Sequence, residues 1–163
     1  MYSCLLFEKV VEMTDAFDEN AARKSWMSLL ARAREGRVAA LLDAAMSRPK
    51  FNWLRAPEIG STMVRARAGG TGAPFNLGEM TVTRCALSLE TGEVGHAYIQ
   101  GRRKEDAQAA ALVDALMQSA HAGTIRTAVL APLEAEQAAS KAARAAKAAA
   151  TKVDFFTMTR GED

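Results

Sequence analysis

Between residues 62 and 100 apolar and polar side chains alternate with period two, whereas the flanking segments repeat at three and four. Period two is the signature of a half-buried strand and period 3.6 that of a docked helix. The alternating runs are Thr62–Ala68, Met80–Leu89 and Val94–Gln100, separated by glycine-bearing turns, with Thr91-Gly92 as a tight turn between the last two. A link this short cannot carry a parallel crossover, so the order is antiparallel. Alternation also sorts the chemistry. It sets Met63, Arg65 and Arg67 on one face of the first strand, and Thr83, Cys85, Leu87 and Leu89 on one face of the second. In the third, Val94, His96 and Tyr98 oppose Gly95, Ala97 and Ile99.

Before this meander, Asn20 to Arg34 reads as a helix with Trp26, Met27, Leu30 and Ala33 on one stripe. Gly36 breaks it, and Val38, Leu41, Leu42, Ala45 and Met46 form a second stripe ending near Arg48-Pro49. The pair makes a helical hairpin. Phe51 and Trp53 fall in the connection that follows, flanked by Pro49 and Pro57, and are expected to anchor it to the core.

After the meander, Lys104 to Gln118 is a helix with only a narrow polar edge at Gln108 and Asp114, so it should be buried on more than one side. A short amphipathic stretch around Ile125, Val129 and Leu130 leads to a long helix opening at Ala131-Pro132-Leu133 and running to about Thr151. Ten of the nineteen residues from Glu134 to Lys152 are alanine, giving high helix propensity but few knobs for packing. This alanine face packs either on the chain's own core or on another subunit. Val153–Met158 (VDFFTM) reads as a final β segment. The fold class is therefore α+β: helical hairpin, antiparallel β-meander, central helix, long Ala-rich helix and a last β segment.

The 163 residues suffice for one domain with its own core. We expect residues 13–163 to form that single domain and 1–12 to be an extension, with Met13 as an alternative start. Two cysteines, Cys4 and Cys85, and two histidines argue against a disulfide scaffold or a zinc finger. The net charge of +2 implies no strong affinity for nucleic acid, although Lys141, Arg144, Lys147, Lys152 and Arg160 make the C-terminal region basic. No apolar run approaches bilayer length, and the first residues lack the pattern of a signal peptide, so the cytoplasm is the expected location without a membrane partner.

The densest local signal is Gly69-Gly70-Thr71-Gly72, extending through Asn76 to Gly78 and Glu79. Exposed amides there, with Arg65, Arg67 and Arg84 nearby, suit an anion; equally, the glycines serve only to turn the chain. The segment is neither a Walker A loop nor a dinucleotide fingerprint. His96 and Glu79 are the candidate acid–base groups, with the ordinary sheet histidine and the amide cap as the alternatives. Cys85 falls on the buried face and reads as a packing thiol. There is no nucleophile triad, paired-carboxylate signature or metal-ligand cluster.

Longer words carry more. Met63–Arg67 (MVRAR), GGTGAPFNLGEMTVTRCALSL from Gly69 to Leu89, and GHAYIQGR from Gly95 to Arg102 resemble the G subunit of bacterial carbon–phosphorus lyase systems, the PhnG family. So do WMSLLARA from Trp26, LRAPEIG from Leu54, and AARAAKAAATKVDFFTMTRGE from Ala142 to Glu162. The resemblance covers residues 20–162 and departs from the family's usual phrase at Ala66 (glycine) and Ala68 (isoleucine), both small changes on a strand.

The resemblance implies a part in phosphonate catabolism. Family members assemble with H, I and J subunits, two copies of each, and associate with ATP-binding-cassette-type K and L components. With I, H and L, the G subunit supports displacement of adenine from MgATP by methylphosphonate, giving α-D-ribose 1-methylphosphonate 5-triphosphate. The I subunit is credited with the nucleosidase step. MgATP is then a substrate of the complex and no cofactor belongs to this chain alone. In this setting the Gly69–Gly78 loop with Arg65, Arg67 and Arg84 either lines an anionic site or holds partner loops, and Tyr98, Lys147, Asp154, Phe155 and Phe156 are the expected interface. A nucleic-acid module using the basic helix, or a stand-alone phosphate-ester enzyme, are the readings outside the family.

Overall fold

The computed structural model describes residues 20–152. Its first helix, α1, covers residues 20–31. The chain then reverses through Gly36, which adopts a left-handed φ of 71°, into α2 (Arg37–Ala45). Three antiparallel strands follow in the order β1 (Phe51–Arg67), β2 (Pro74–Leu89) and β3 (Val94–Gln100), with β2 central. α3 (Lys104–Leu116) crosses one face of the sheet. A short α4 (Ala122–Ile125) and a π-helical turn (Arg126–Leu130) lead without a break into α5 (Ala131–Ala150).

α3 is the centre of the core. Every residue from Ala109 to Leu116 is buried, between the Cys85, Leu87, Leu89, Ala97 and Ile99 face of the sheet and Leu30, Val38, Leu42, Ile125, Val129, Leu130 and Leu133 from the other helices. Small side chains let this helix lie close to the sheet. At Gly95 an added Cβ would sit 1.9 Å from the Ala111 carbonyl oxygen, so β3 has no room for any side chain there. The helix start is tied to the α1–α2 turn: Asp106 accepts hydrogen bonds from the Gly36 amide (2.9 Å) and from Arg103 (3.3 Å), which also donates to the Ala33 carbonyl (3.1 Å).

The helical hairpin, meander, central helix and long last helix are all present. Both hairpin strands are longer than alternation alone suggests. β1 begins at Phe51, so Phe51 and Trp53 belong to a strand, not a connection. The cause is visible in the register. Trp53 faces Leu87, Arg55 faces Ala86 and Glu58 faces Arg84, so β1 carries extra residues at two irregularities around Leu54 and Pro57. Each one inverts the alternation, and proline is tolerated because β1 is an edge strand. Of the two aromatics, Phe51 packs against the core and Trp53 meets it edge-on at 4.9 Å while remaining 39% exposed.

β2 likewise begins at Pro74, which shrinks the glycine loop to residues 68–73 and places Asn76, Leu77, Gly78 and Glu79 in a strand. The alanine face of α5 also departs from packing on the chain's own core. Only Leu133 of that helix is buried, Gln137 donates to the Leu29 carbonyl (2.8 Å), and residues 141–150 are exposed throughout. The expected last β segment, and the extension at 1–12, lie outside the described residues.

Candidate functional site

At the tip of the β1–β2 hairpin the chain turns in a closed loop. The Gly72 amide donates to the Ala68 carbonyl (2.8 Å) and the Ala68 amide to the Ala73 carbonyl (3.4 Å). Gly69 and Gly70 have φ of 60° and 84°, and a Cβ on Gly72 would lie 2.6 Å from the Ala68 oxygen. The turn itself thus requires its glycines. Arg67 donates across it to the Gly72 carbonyl (3.2 Å). Arg65 pairs with Asn76, and Met63 with Glu79 further down the ribbon. Arg65, Arg67, Gly69, Gly70, Thr71, Gly72 and Asn76 therefore share one end of the molecule.

Arg84 does not join them. It lies eight residues from Asn76 along β2, roughly 26 Å at the strand rise. Its guanidinium hydrogen-bonds Glu58 (2.5 Å), which also pairs with Arg55 (3.6 Å). The bond to Glu58, with Tyr98 as a lesser neighbour, raises the Arg84 pKa above its ordinary value. Arg84, Tyr98 and His96 belong to the outer face of the sheet, where β3 puts His96 and Tyr98 in solvent and Gly95, Ala97 and Ile99 inside.

His96 and Tyr98 also border a groove of about 420 Å³ between β3 and α1, lined by Arg23, Lys24, Met27 and Leu30 among others. One of its lining residues, Arg23, is held by Asp114, fully buried on α3. Arg23 grips this carboxylate through Nε (3.2 Å) and a terminal nitrogen (2.7 Å), Trp26 donates its indole N–H (2.9 Å), and the His96 backbone amide donates a fourth bond (2.9 Å). One carboxylate so joins α1, β3 and α3, with both oxygens satisfied. Sequence reasoning passed over this cluster, seeing Asp114 only as part of a polar edge. The available signal was an aspartate inside the apolar stretch Ala109–Leu116, which needs donors when buried, with Arg23 and Trp26 three apart on a helix to supply them.

The remaining candidates are dispersed. Cys85 is buried, donates to the Ala107 carbonyl (3.1 Å), and burial pushes its thiol up to about 12, far from a thiolate at neutral pH. Lys147 stands on the exposed part of α5. Asp154, Phe155 and Phe156 lie outside the described residues. Among those described, no three His, Cys, Asp or Glu residues are grouped so as to hold a metal ion, and no helix is long and apolar enough to cross a membrane.

Fold and surface together define a small α+β protein with a well-satisfied core and an open ribbon and helix end. A family model described as phosphonate metabolism protein PhnG matches residues 21–161. The chain is also 47% identical over 147 residues to the α-D-ribose 1-methylphosphonate 5-triphosphate synthase subunit PhnG of Rhizobium meliloti (strain 1021), covering 88% of this chain and 92% of that protein. The chain belongs to the PhnG family, the G-type subunits of the multi-subunit carbon–phosphorus lyase system of phosphonate catabolism and phosphorus utilisation.

Proposed function

We propose that this chain is an obligatory, non-self-sufficient subunit of the assembly that displaces adenine from MgATP with methylphosphonate, forming α-D-ribose 1-methylphosphonate 5-triphosphate in the cytoplasm. The observation that carries this is the near full-length match to a protein named as a subunit of that synthase. The expected partners are the H, I and J subunits with the K and L components, and MgATP enters as substrate of the complex, with no cofactor assigned to this chain.

The chemistry of such a reaction needs cations and aligned amides around a triphosphate, a phosphonate and a ribosyl carbon with oxocarbenium character. Here Arg65, Arg67 and the glycine turn share the tip of the β1–β2 hairpin, whereas Arg84 and His96 stand apart from it. The glycines serve their turn, Arg84 is engaged by Glu58, and Asp114 is consumed by structural bonds. These features favour scaffolding, with the reacting groups supplied mainly by neighbouring subunits. Co-expression with H, I and J followed by native mass measurement tests it; the expected result is stoichiometric incorporation. Arg67→Ala and Arg84→Ala separate the two roles within the assembly. A site contribution lowers adenine release from an intact complex, whereas a scaffolding contribution lowers co-purification.

A further inference from the structure

Several cations of this chain are answered by acids: Arg23 by Asp114, Arg37 by Glu136, Arg48 by Asp43, Arg84 by Glu58 and Arg103 by Asp106. Arg32, Lys141 and Arg144 are not. They line one hollow of about 350 Å³ with Gln137, Ala138 and Ser140, between the turn that follows α1 and the middle of α5. No acidic residue lines it, and among the described residues none of its three cations forms an ion pair. Helical spacing builds its wall. Gln137, Lys141 and Arg144 are four and three residues apart and share one face of α5, with Ser140 beside them. Gln137 fixes that face against α1 through its bond to the Leu29 carbonyl (2.8 Å). The neighbouring acids are engaged or placed elsewhere: Glu136 is held by Arg37 (2.7 Å), Glu134 belongs to the first turn of α5, and Glu35 lines a separate hollow at the start of α3. Two other hollows mix their charges, Arg102 and Lys104 with Glu35 and Glu105 in one, Lys50 and His121 with Glu90 and Glu93 in the other.

We propose that the hollow between α1 and α5 binds a phosphate chain, the triphosphate group of the nucleotide or ribosyl compound on which the assembly acts. The source of that group rests on the assembly reading above, in which substrate and product both carry a triphosphate. The chemistry of the lining selects the class. Its one apolar side chain is the methyl of Ala138, so neither a nucleobase nor the anchor residue of a peptide finds a surface to pack on. Two guanidinium forks, an ammonium and a hydroxyl are the donors that phosphate oxygens accept from. A chain of three phosphates offers a separate anionic group to each cation, where a single phosphate engages fewer. A substrate held by its phosphate chain is oriented through its non-reacting end, which asks nothing of this chain at the ribosyl carbon.

Isothermal titration of the full chain with inorganic tripolyphosphate, ATP and adenosine, all without magnesium, tests this. Tripolyphosphate and ATP should bind with affinities within about threefold of each other, and adenosine should give no heat. Added salt should weaken the binding, since the cations are exposed. The triple variant Arg32→Gln, Lys141→Gln, Arg144→Gln should lose about tenfold or more in affinity, a figure already reduced for solvent screening. Lys50→Gln, Arg102→Gln, Arg126→Gln removes the same charge from other exposed positions and should stay within about twofold of wild type. Hydrogen exchange of the wild-type chain decides the matter if the first variant does not fold: tripolyphosphate should slow the amides of residues 137–144 and leave those of β3 unchanged. No binding to the wild-type chain, an equal loss in both triple variants, or no protection of 137–144 overturns the site while leaving the assembly reading intact. Failure of the wild-type chain to co-purify with H, I and J overturns the assembly reading and the assigned source of the triphosphate, and leaves the anion site to stand or fall by the titration.

Discussion

Asp114 shows how much of this fold depends on single polar atoms. Its two oxygens accept from Arg23, Trp26 and the His96 amide while the side chain has no exposure to water. Asp114→Ala would leave these donors without their acceptor. Breaking such a buried pair costs about 3–5 kcal/mol, which in a chain of this size lowers Tm by on the order of 10 °C. Thermal melting followed by circular dichroism checks this, and a shift under 2 °C would show that the cluster is not structural. Cys85 makes a separate prediction. Its folded pKa is raised, so the stability it contributes is complete below the unfolded value near 9 and lost as pH climbs toward about 12. Denaturant midpoints should fall across that window, with the fall reduced in Cys85→Ala. Alkylation of Cys85 at pH 8 should wait for unfolding.

Elements differ in how well the sequence announces them. β3 and the inward face of β2 follow strict alternation, so Thr83, Cys85, Leu87, Leu89, Ala97 and Ile99 were legible as core. α3 was legible from its continuous apolar run. The first half of β1 was not, because the irregularities around Leu54 and Pro57 break the period on which a strand is recognised. Nor was the start of β2, since Asn76, Gly78 and Glu79 resemble loop residues and the ribbon has no buried face to enforce alternation. In the candidate site, residues clustered by turn chemistry at the tip were anticipated. The separation of Arg84 from them depends on strand length and could not be. Two element-scale outcomes follow. Gly95→Ala forces a Cβ into the Ala111 carbonyl and should destabilise by about 1–3 kcal/mol or more, whereas Gly78→Ala meets nothing within 4 Å and should be far milder. Along α5, amides of residues 141–150 rest on alanine propensity without burial, so hydrogen exchange should open them long before α3.

For the whole molecule, the satisfied core and the open periphery point in different directions. Among the described residues no buried side-chain nitrogen or oxygen lacks a hydrogen-bond partner. The tip of the β1–β2 hairpin and residues 141–150 of α5 are exposed. Whether this chain functions only within the assembly can be read from an omission assay. Adenine release from MgATP and methylphosphonate should be measured for the purified chain, for the remaining subunits together, and for the two recombined. Negligible turnover is expected in the first two and restored turnover in the third. Release of adenine by the chain alone, or undiminished release without it, would show that its function does not depend on the assembly.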